Sequence, residues 1–364
     1  MTIATVDTRV FNEQKAGAFA DRLINALNEG ALCLMTSIGH RTGLFDAMAN
    51  MPPASSNAIA EQAGLNERYV REWLGAMTTS GVVEHNSDDA TYVLPAEHAS
   101  LLTRAATPDN IAVFTQYIPL LGTVEDDIVH CFKAGGGVPY SQYTRFHEVM
   151  AEDSGQTVLS SLIDHIIPLL PDMLQKLKRG IRVLDVGCGS GRAMNLLAEK
   201  FPNSEFVGID LSTEAITQAQ NEAQQKQLCN VRFIAQDLSR FDKEAIEAQY
   251  DLITTFDAVH DQARPLAVLK GIARALKADG VYLMQDIHGS SHVHNNSDHP
   301  IGPLLYTISC MHCMTVSLSQ GGEGLGAMWG QEKARQLIAE AGFANVSIYQ
   351  LEHDFQNDYY VISK

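Results

Sequence analysis

The sequence is short of positive charge, of clustered cysteine and of long apolar runs. It has 26 lysines and arginines against 43 acidic residues in 364 positions, a formal net charge of −17. No Lys/Arg run breaks that balance, which repels a phosphate backbone, so nucleic acid is not an expected partner. Six cysteines, Cys33, Cys131, Cys188, Cys229, Cys310 and Cys313, are scattered apart from the last pair. A chain this large does not need disulfides, and the scatter predicts a reducing compartment, read as the cytoplasm. No run of about 18 uncharged apolar residues is present, so no membrane span is expected. Met1–Gln14 lacks a basic segment followed by an apolar one, and no signal peptide is read there. Internal repeats and low-complexity tracts are missing too. What is present is apolar material, 45% of the residues, enough for a sizeable core over a length that suggests two domains.

Apolar residues recur at helical spacing over 14–37. Ser55 and Ser56 offer a cap for a helix through Ala58–Ala63, Gly64 breaks it, and a second helix is predicted over Asn66–Thr79. Gly81–Glu84 and Thr91–Leu94 read as a hairpin around the polar turn Asn86–Ala90. Helix, turn, helix and hairpin make a winged helix-turn-helix. A helical stretch is expected over Pro108–Phe132, a flexible break at Gly135–Tyr140, and a helix from Ala151 to about Lys178. From Ile181 strands and helices alternate. Strands are predicted at Arg182–Val186, Ser204–Ile209, Val231–Ala235, Tyr250–Phe256 and Val281–Asp286. The intervening helices are Gly191–Lys200, Glu214–Gln225 and Ala263–Leu276. A helix at Ala334–Ala341 precedes an antiparallel pair, Asn345–Leu351 with Asp358–Ile362. This alternation predicts an α/β fold with a Rossmann-like, doubly wound parallel sheet. The expected domains are 1–105, a mainly helical winged-helix unit; 106–154, a helical linker contributing to the pocket; and 155–364, the α/β unit.

The segment Val183-Leu184-Asp185-Val186-Gly187-Cys188-Gly189-Ser190-Gly191 follows a strand and opens a helix. Glycines there allow a tight turn and close approach of a ligand to the backbone. Dinucleotide and phosphate sites share that pattern, but Asp185 just before the first glycine would repel a pyrophosphate and tolerate a cation. No Lys-Ser/Thr follows the loop, so it is not a P-loop. Asp210, about 20 residues beyond the loop, ends the next strand, where a carboxylate accepts hydrogen bonds from ribose hydroxyls. Asp237, within Gln236-Asp237-Leu238, ends the third strand and is placed to accept from an exocyclic amino group.

This constellation resembles the class I S-adenosylmethionine-dependent methyltransferases over residues 155–364. The resemblance implies S-adenosyl-L-methionine as cofactor, with Gly187, Gly189 and Gly191 along its methionine part. It implies Asp210 and Leu211 at the ribose, and Gln236, Asp237 and Leu238 at the adenine, with Asp185, Phe256 and Asp257 completing the cofactor site. Phe256-Asp257-Ala258-Val259-His260-Asp261 closes the fourth strand. A neutral His takes a proton from a hydroxyl as that oxygen attacks a methyl carbon. A winged domain, a glycine loop and a later His-Asp pair resemble the dimeric plant-type small-molecule O-methyltransferases. That likeness implies His260 as general base, oriented by Asp286, and Glu323 as candidate second acid. The family's aromatic residue after His-Asp is replaced by Gln262. Cys313–Leu318 and Gly321–Gly326 are closer to a bacterial methyltransferase group with the same winged domain.

Seven His and Cys residues lie between Asp286 and Trp329: His288, His292, His294, His299, Cys310, His312 and Cys313. Only one Cys-x-x-Cys is present and no finger spacing follows, so no metal site is expected. The segment is read as acceptor pocket, with His312 pointing inward and Trp329 as an apolar wall. In the resembled enzymes Tyr140, Tyr143 and Phe146 would help cover it. The expected reaction is methylation of a small molecule, O-methylation ahead of S- or N-methylation. In the predicted winged helix Glu67 and Glu72 offset Arg68 and Arg71, poor support for DNA contact. The alternative of a ligand-sensing transcriptional regulator is therefore second to a homodimer formed through Leu23, Leu27, Leu34, Leu44 and Phe45.

Overall fold

The computed structural model describes residues 11–364. Most of the Met1–Gln14 segment, on which the signal-peptide reading rests, lies outside the described residues. The chain divides after Pro119 into two compact units.

The first unit holds α1 (Glu13–Thr42), α2 (Leu44–Met48), α3 (Ser56–Ala63), α4 (Glu67–Thr79), the hairpin strands β1 (Glu84–Asn86) and β2 (Thr91–Val93), α5 (Ala96–Leu102) and α6 (Ala112–Thr115). Asn12 caps α1 by accepting from the Lys15 N–H at 3.0 Å. Gly43, at φ 74°, ends α1 in the left-handed conformation, a common helix stop. Ser55 caps α3 and Asn66 caps α4 through their side-chain oxygens. Val70, Trp73, Leu74 and Met77 form one face of α4 at helical spacing. They pack with Phe45, Ile59, Val83 and Leu94 in this unit's core. The predicted winged helix-turn-helix is present. Leu44 and Phe45 belong to that core, at 2% and 0% exposure. They are therefore unavailable for the dimer surface assigned to them from sequence. Leu23, Leu27 and Leu34 are exposed. Within α4, Arg68 pairs with Glu72 and Arg71 with Glu67, so its cations are matched along the helix.

The helical stretch expected over Pro108–Phe132 is interrupted. It forms α6, α7 (Tyr117–Gly122) and α8 (Glu125–Ala134), separated near Gln116 and at Thr123–Val124. The helix expected from Ala151 to Lys178 is broken as well. After α9 (Phe146–Ser154) the chain makes two π turns and a 3₁₀ turn before α10 (Met173–Arg179). Pro168 and Pro171 remove two backbone donors, and Asp172 takes a left-handed φ of 57°.

Strands β3 (Arg182–Val186), β4 (Glu205–Asp210), β5 (Val231–Ala235), β6 (Tyr250–Phe256), β7 (Leu276–Ile287), β8 (Asn345–Leu351) and β9 (Asp354–Ser363) form one sheet of order β5-β4-β3-β6-β7-β9-β8. The first five are parallel; β9 pairs antiparallel with β7 and with β8. Helices α11 (Arg192–Lys200), α12 (Thr213–Gln225), α13 (Phe241–Glu244) and α14 (Pro265–Ala275) cross between the parallel strands. After β7 come α15 (Gly302–Ile308), α16 (Met314–Ser319) and α17 (Gly330–Glu340). Each face of the sheet has its own core. Leu184, Val186, Ile253, Tyr282 and Met284 face one core, and Val183, Leu252, Leu283 and Tyr359 face the other. Both faces of a parallel sheet are covered in this way. The strand order reverses between β3 and β6, where such sheets bind ligands at their carboxyl edge. No helix among the described residues is long and apolar enough to cross a membrane.

Candidate functional site

The glycine loop occupies that switch point. Gly189 has φ 51°, and a Cβ built there meets nothing within 4 Å. The space beside it is open to a ligand. Gly191 is glycine for another reason. Its Cβ would lie 2.4 Å from the Phe233 ring and 2.7 Å from Ala219, so it lets the helix and strand close up. The resemblance placed Gly191 along the ligand; the position its Cβ would take is filled by this packing seam. Asp210 braces the loop, accepting from the Gly189 N–H and the Ser212 N–H, both at 2.8 Å. Each carboxylate oxygen keeps a further acceptor position. Asp237 is exposed and accepts from the Ser239 N–H at 2.8 Å. Gln236 is half-buried and Leu211 is 45% exposed. Leu238 lies in the core beside Phe241, which limits it to backbone or edge contact.

Asp185, 2% exposed, accepts from the Thr254 hydroxyl at 2.7 Å. Burial, with some help from the Asp210 charge, raises its pKa to about 7. The sequence suggests a fixed anion at the base of the loop; the structure shows an acid on the edge of ionising. A positive charge beside it favours the carboxylate.

Beyond β6 the chain turns sharply at Asp257, whose φ is 50°. The turn carries Ala258 under the loop, where a Gly187 Cβ would come within 2.5 Å of the Ala258 Cβ. It delivers His260, 4% exposed, to the end of β7. There His260 Nδ1 lies 2.8 Å from Asp286 Oδ1. The same oxygen accepts from the Trp329 indole N–H at 3.0 Å and the Ile287 N–H at 2.9 Å. Burial disfavours the imidazolium. The Asp286 charge and the Cys313 thiol against the ring outweigh it, and the proton affinity of His260 rises well above its usual range. Asp257 accepts from the Gln285 side-chain amide at 2.9 Å. Burial and the Asp286 charge raise its pKa well above the usual carboxylate range.

An aromatic cluster faces this pair. Phe146 stacks on His312 with ring centres 3.6 Å apart and planes at 11°, while Tyr140 and Tyr143 meet the same ring edge-on at 5.3 and 4.9 Å. His312 is 1% exposed and neither ring nitrogen has a hydrogen-bond partner. Burial, and the charges of His260 and His147, hold its pKa well below the usual histidine range. Tyr140 donates to Asp261 and Tyr143 to the Met311 carbonyl. The segment is seated by the Val138 N–H on Thr315 Oγ1 at 2.8 Å.

Four of the five residues read from sequence as acceptor-facing thus share one cluster. Trp329, the fifth, makes its polar contact with Asp286. Sequence reading missed the indole bond to Asp286, the Tyr140–Asp261 bond and the His147 contact with Ser212 at 3.1 Å. Adjacency in the His-Asp dipeptide was the one available signal, and it pointed to Asp261. Glu323 is exposed, with its backbone N–H on the Ala263 carbonyl; the second carboxylate near His260 is Asp257. In the His- and Cys-rich segment, His288 bonds Asp358 at 3.0 Å. Among the described residues the group close enough to hold a metal is Asp257, His260 and Asp286, with ligand-type atoms within 4.8 Å. Two N–H groups and the imidazole already converge on Asp286 Oδ1, so this donor set suits a hydrogen-bonded pair better than a cation.

Residues 30–104 match the family model described as an Rv2258c-like winged HTH domain, and residues 177–342 match a methyltransferase domain. By these matches the chain carries the methyltransferase domain of an S-adenosylmethionine-dependent enzyme behind a winged HTH domain. With that domain comes S-adenosylmethionine as cofactor. The site fits the group: an open face at Gly189, and acidic side chains where a sulfonium and amino groups are tolerated and phosphate is not. Among curated proteins, a ubiquinone biosynthesis O-methyltransferase of Coxiella burnetii is 32% identical over 110 residues, 30% of this chain and 45% of that protein. The matched segment thus spans less than half of that relative. An (S)-tetrahydroprotoberberine N-methyltransferase of Eschscholzia californica is 26% identical over 120 residues, 33% of each chain. Solved structures align over nearly the whole length. Human N-acetylserotonin methyltransferase in complex with SAM has TM-score 0.67 at 16% identity, covering 100% of this chain and 99% of that one. The mitomycin 7-O-methyltransferase MmcR has TM-score 0.65 at 17% identity, covering 96% and 100%. At these identities this methyltransferase shares their fold.

Proposed function

We propose that this methyltransferase transfers the methyl group of S-adenosylmethionine to the hydroxyl of a small aromatic molecule, with His260 as general base. The carrying observation is the buried His260–Asp286 pair, 2.8 Å apart, on the turn that packs under the glycine loop. When bound, the cofactor supplies an electrophilic methyl carbon. Gly189 leaves room for it, Asp210 and Leu211 hold the ribose, and Gln236, Asp237 and Leu238 border the adenine. Asp185, Gly187, Gly191, Phe256 and Asp257 complete the enclosure. Asp286 accepts from His260 Nδ1, so that Nε2, with the Cys313 thiol beside the ring, takes the acceptor's proton when the imidazole is neutral. Positioning supplies much of the remaining rate. Tyr140, Tyr143 and Phe146 give the acceptor flat apolar contacts. His312, held neutral, offers one donor and one acceptor to its polar substituents.

The matched ion pairs on α4 favour an assembly role for the winged unit over the regulator reading. On α1, Phe19, Leu23, Ile24, Leu27 and Leu34 are 44–74% exposed. That apolar row supports a homodimer. We place the division of labour at 1–105, 106–154 and 155–364, and the scattered cysteines favour a cytoplasmic setting. Leu27→Glu should give a monomer in sedimentation; an unchanged species would remove this part of the reading.

The chemistry is tested with labelled cofactor and a panel of phenols, amines and thiols. Phenol methylation that His260→Ala lowers by about 10²–10⁴-fold is expected. Unchanged turnover in that variant would overturn the base. Failure of S-adenosylhomocysteine to bind in calorimetry would overturn the cofactor site.

A further inference from the structure

Trp329 sits on a 3₁₀ turn, Ala327–Trp329, between two glycines. At Gly330 a Cβ would lie 2.0 Å from the Ser291 backbone nitrogen, and the Ser291 hydroxyl donates to the Trp329 carbonyl at 2.5 Å. The turn is therefore held firmly against the Ser290–Ser291 backbone. The indole is 5% exposed, and an indole has one donor and no acceptor. That donor is committed to Asp286 Oδ1, the oxygen His260 uses, while Asp286 Oδ2 is buried without a partner. An apolar wall would not need this bond, and a buried carboxylate free to rotate could offer either oxygen to the imidazole.

We propose that Trp329 is a positioning residue, which fixes the Asp286 carboxylate and draws off part of its charge so that His260 holds its proton on Nδ1 and presents Nε2. This rests on the reading of His260 as base. The indole and the Ile287 N–H stabilise the carboxylate charge, which weakens its hold on an imidazolium. Other groups facing His260 are Asp257, Asp261, Cys313 and His312. The indole thus counteracts the rise in proton affinity that Asp286 imposes.

Trp329→Phe keeps the ring and removes the N–H. The titration of His260 is read by NMR with ¹³C-labelled histidine, its signal assigned by absence from His260→Gln. The midpoint in Trp329→Phe is expected to rise by about one pH unit, a tenfold loss of neutral imidazole on the acid side. The acid limb of the kcat/KM profile should move with it. A midpoint unchanged or lowered overturns the proposal, since lost packing alone would reduce kcat without moving it. If Trp329→Phe does not fold, the parent protein supplies the test. It has two tryptophans, and the Trp329 indole ¹⁵N–H signal, assigned with Trp73→Phe, should titrate at the His260 midpoint. A flat signal overturns the coupling. A midpoint that shifts in a protein methylating nothing leaves the relay standing and removes the base reading.

Discussion

Asp185→Asn is the perturbation whose size follows most directly from the structure. The carboxyl is buried at the end of β3, and its pKa is about 7 against an ordinary 3.8. The difference is roughly three units, or about 4 kcal/mol for full ionisation. The sign follows from proton linkage. Between those two values the folded state holds a proton that the unfolded chain has lost, so stability falls as pH rises through the window. Below it both states are protonated and the penalty vanishes. Asparagine keeps the shape and the acceptor oxygen for the Thr254 hydroxyl but never ionises. Urea unfolding of parent and variant should agree closely at pH 4. They should diverge from there to pH 7, with the variant ahead by about 2–4 kcal/mol at pH 8. Cofactor affinity should move the opposite way, since the variant has no carboxylate to meet a cation. A stability difference of constant size across pH 4–8 would refute the reasoning, because it would place the effect in packing and not in ionisation.

The two loop glycines should separate fold from ligand. Gly191→Ala drives a Cβ into Phe233 at a left-handed φ, and a loss of about 2–4 kcal/mol in unfolding free energy is expected. Gly189→Ala meets open space, so about 1 kcal/mol of backbone strain is expected, with calorimetry showing a larger loss of S-adenosylhomocysteine affinity. Tyr140→Phe removes a donor from Asp261, whose pKa burial already raises to about 6. The Asp261 midpoint should rise further, and acceptor KM should rise more than kcat falls, checked by steady-state kinetics across pH 5–8.

Local features were legible in the sequence and long-range ones were not. Strands β3 and β6 lie where the apolar runs place them, because a buried parallel strand has a continuous apolar signature; β5, an edge strand with Phe233 as its buried residue, also lies where expected. The loop was legible because a tight turn needs glycine, and the acids at the ends of β3 and β4 because a carboxylate interrupts an otherwise apolar strand. His260 and Asp286 were paired through a family resemblance, and the pairing is a contact across 26 positions. The Trp329 bond to Asp286 spans 43 positions, and no periodicity encodes it. Leu44 and Phe45 show the same limit in the winged unit. Apolar character says that a side chain is buried somewhere; only packing says against what. The ionisation of Asp185 was hidden because it depends on burial from both sides of β3.

Helix α1 is about 45 Å long at 1.5 Å per residue, and residues 13–29 are exposed throughout. Its buried positions begin only at Thr36. In proteins most helical stability comes from packing of one face, which the exposed first half of α1 lacks within one chain. Under the dimer reading, ordering the first half of α1 and joining two chains become one equilibrium. The thermal midpoint of the winged unit then depends on protein concentration, and dilution alone loosens the first half of α1.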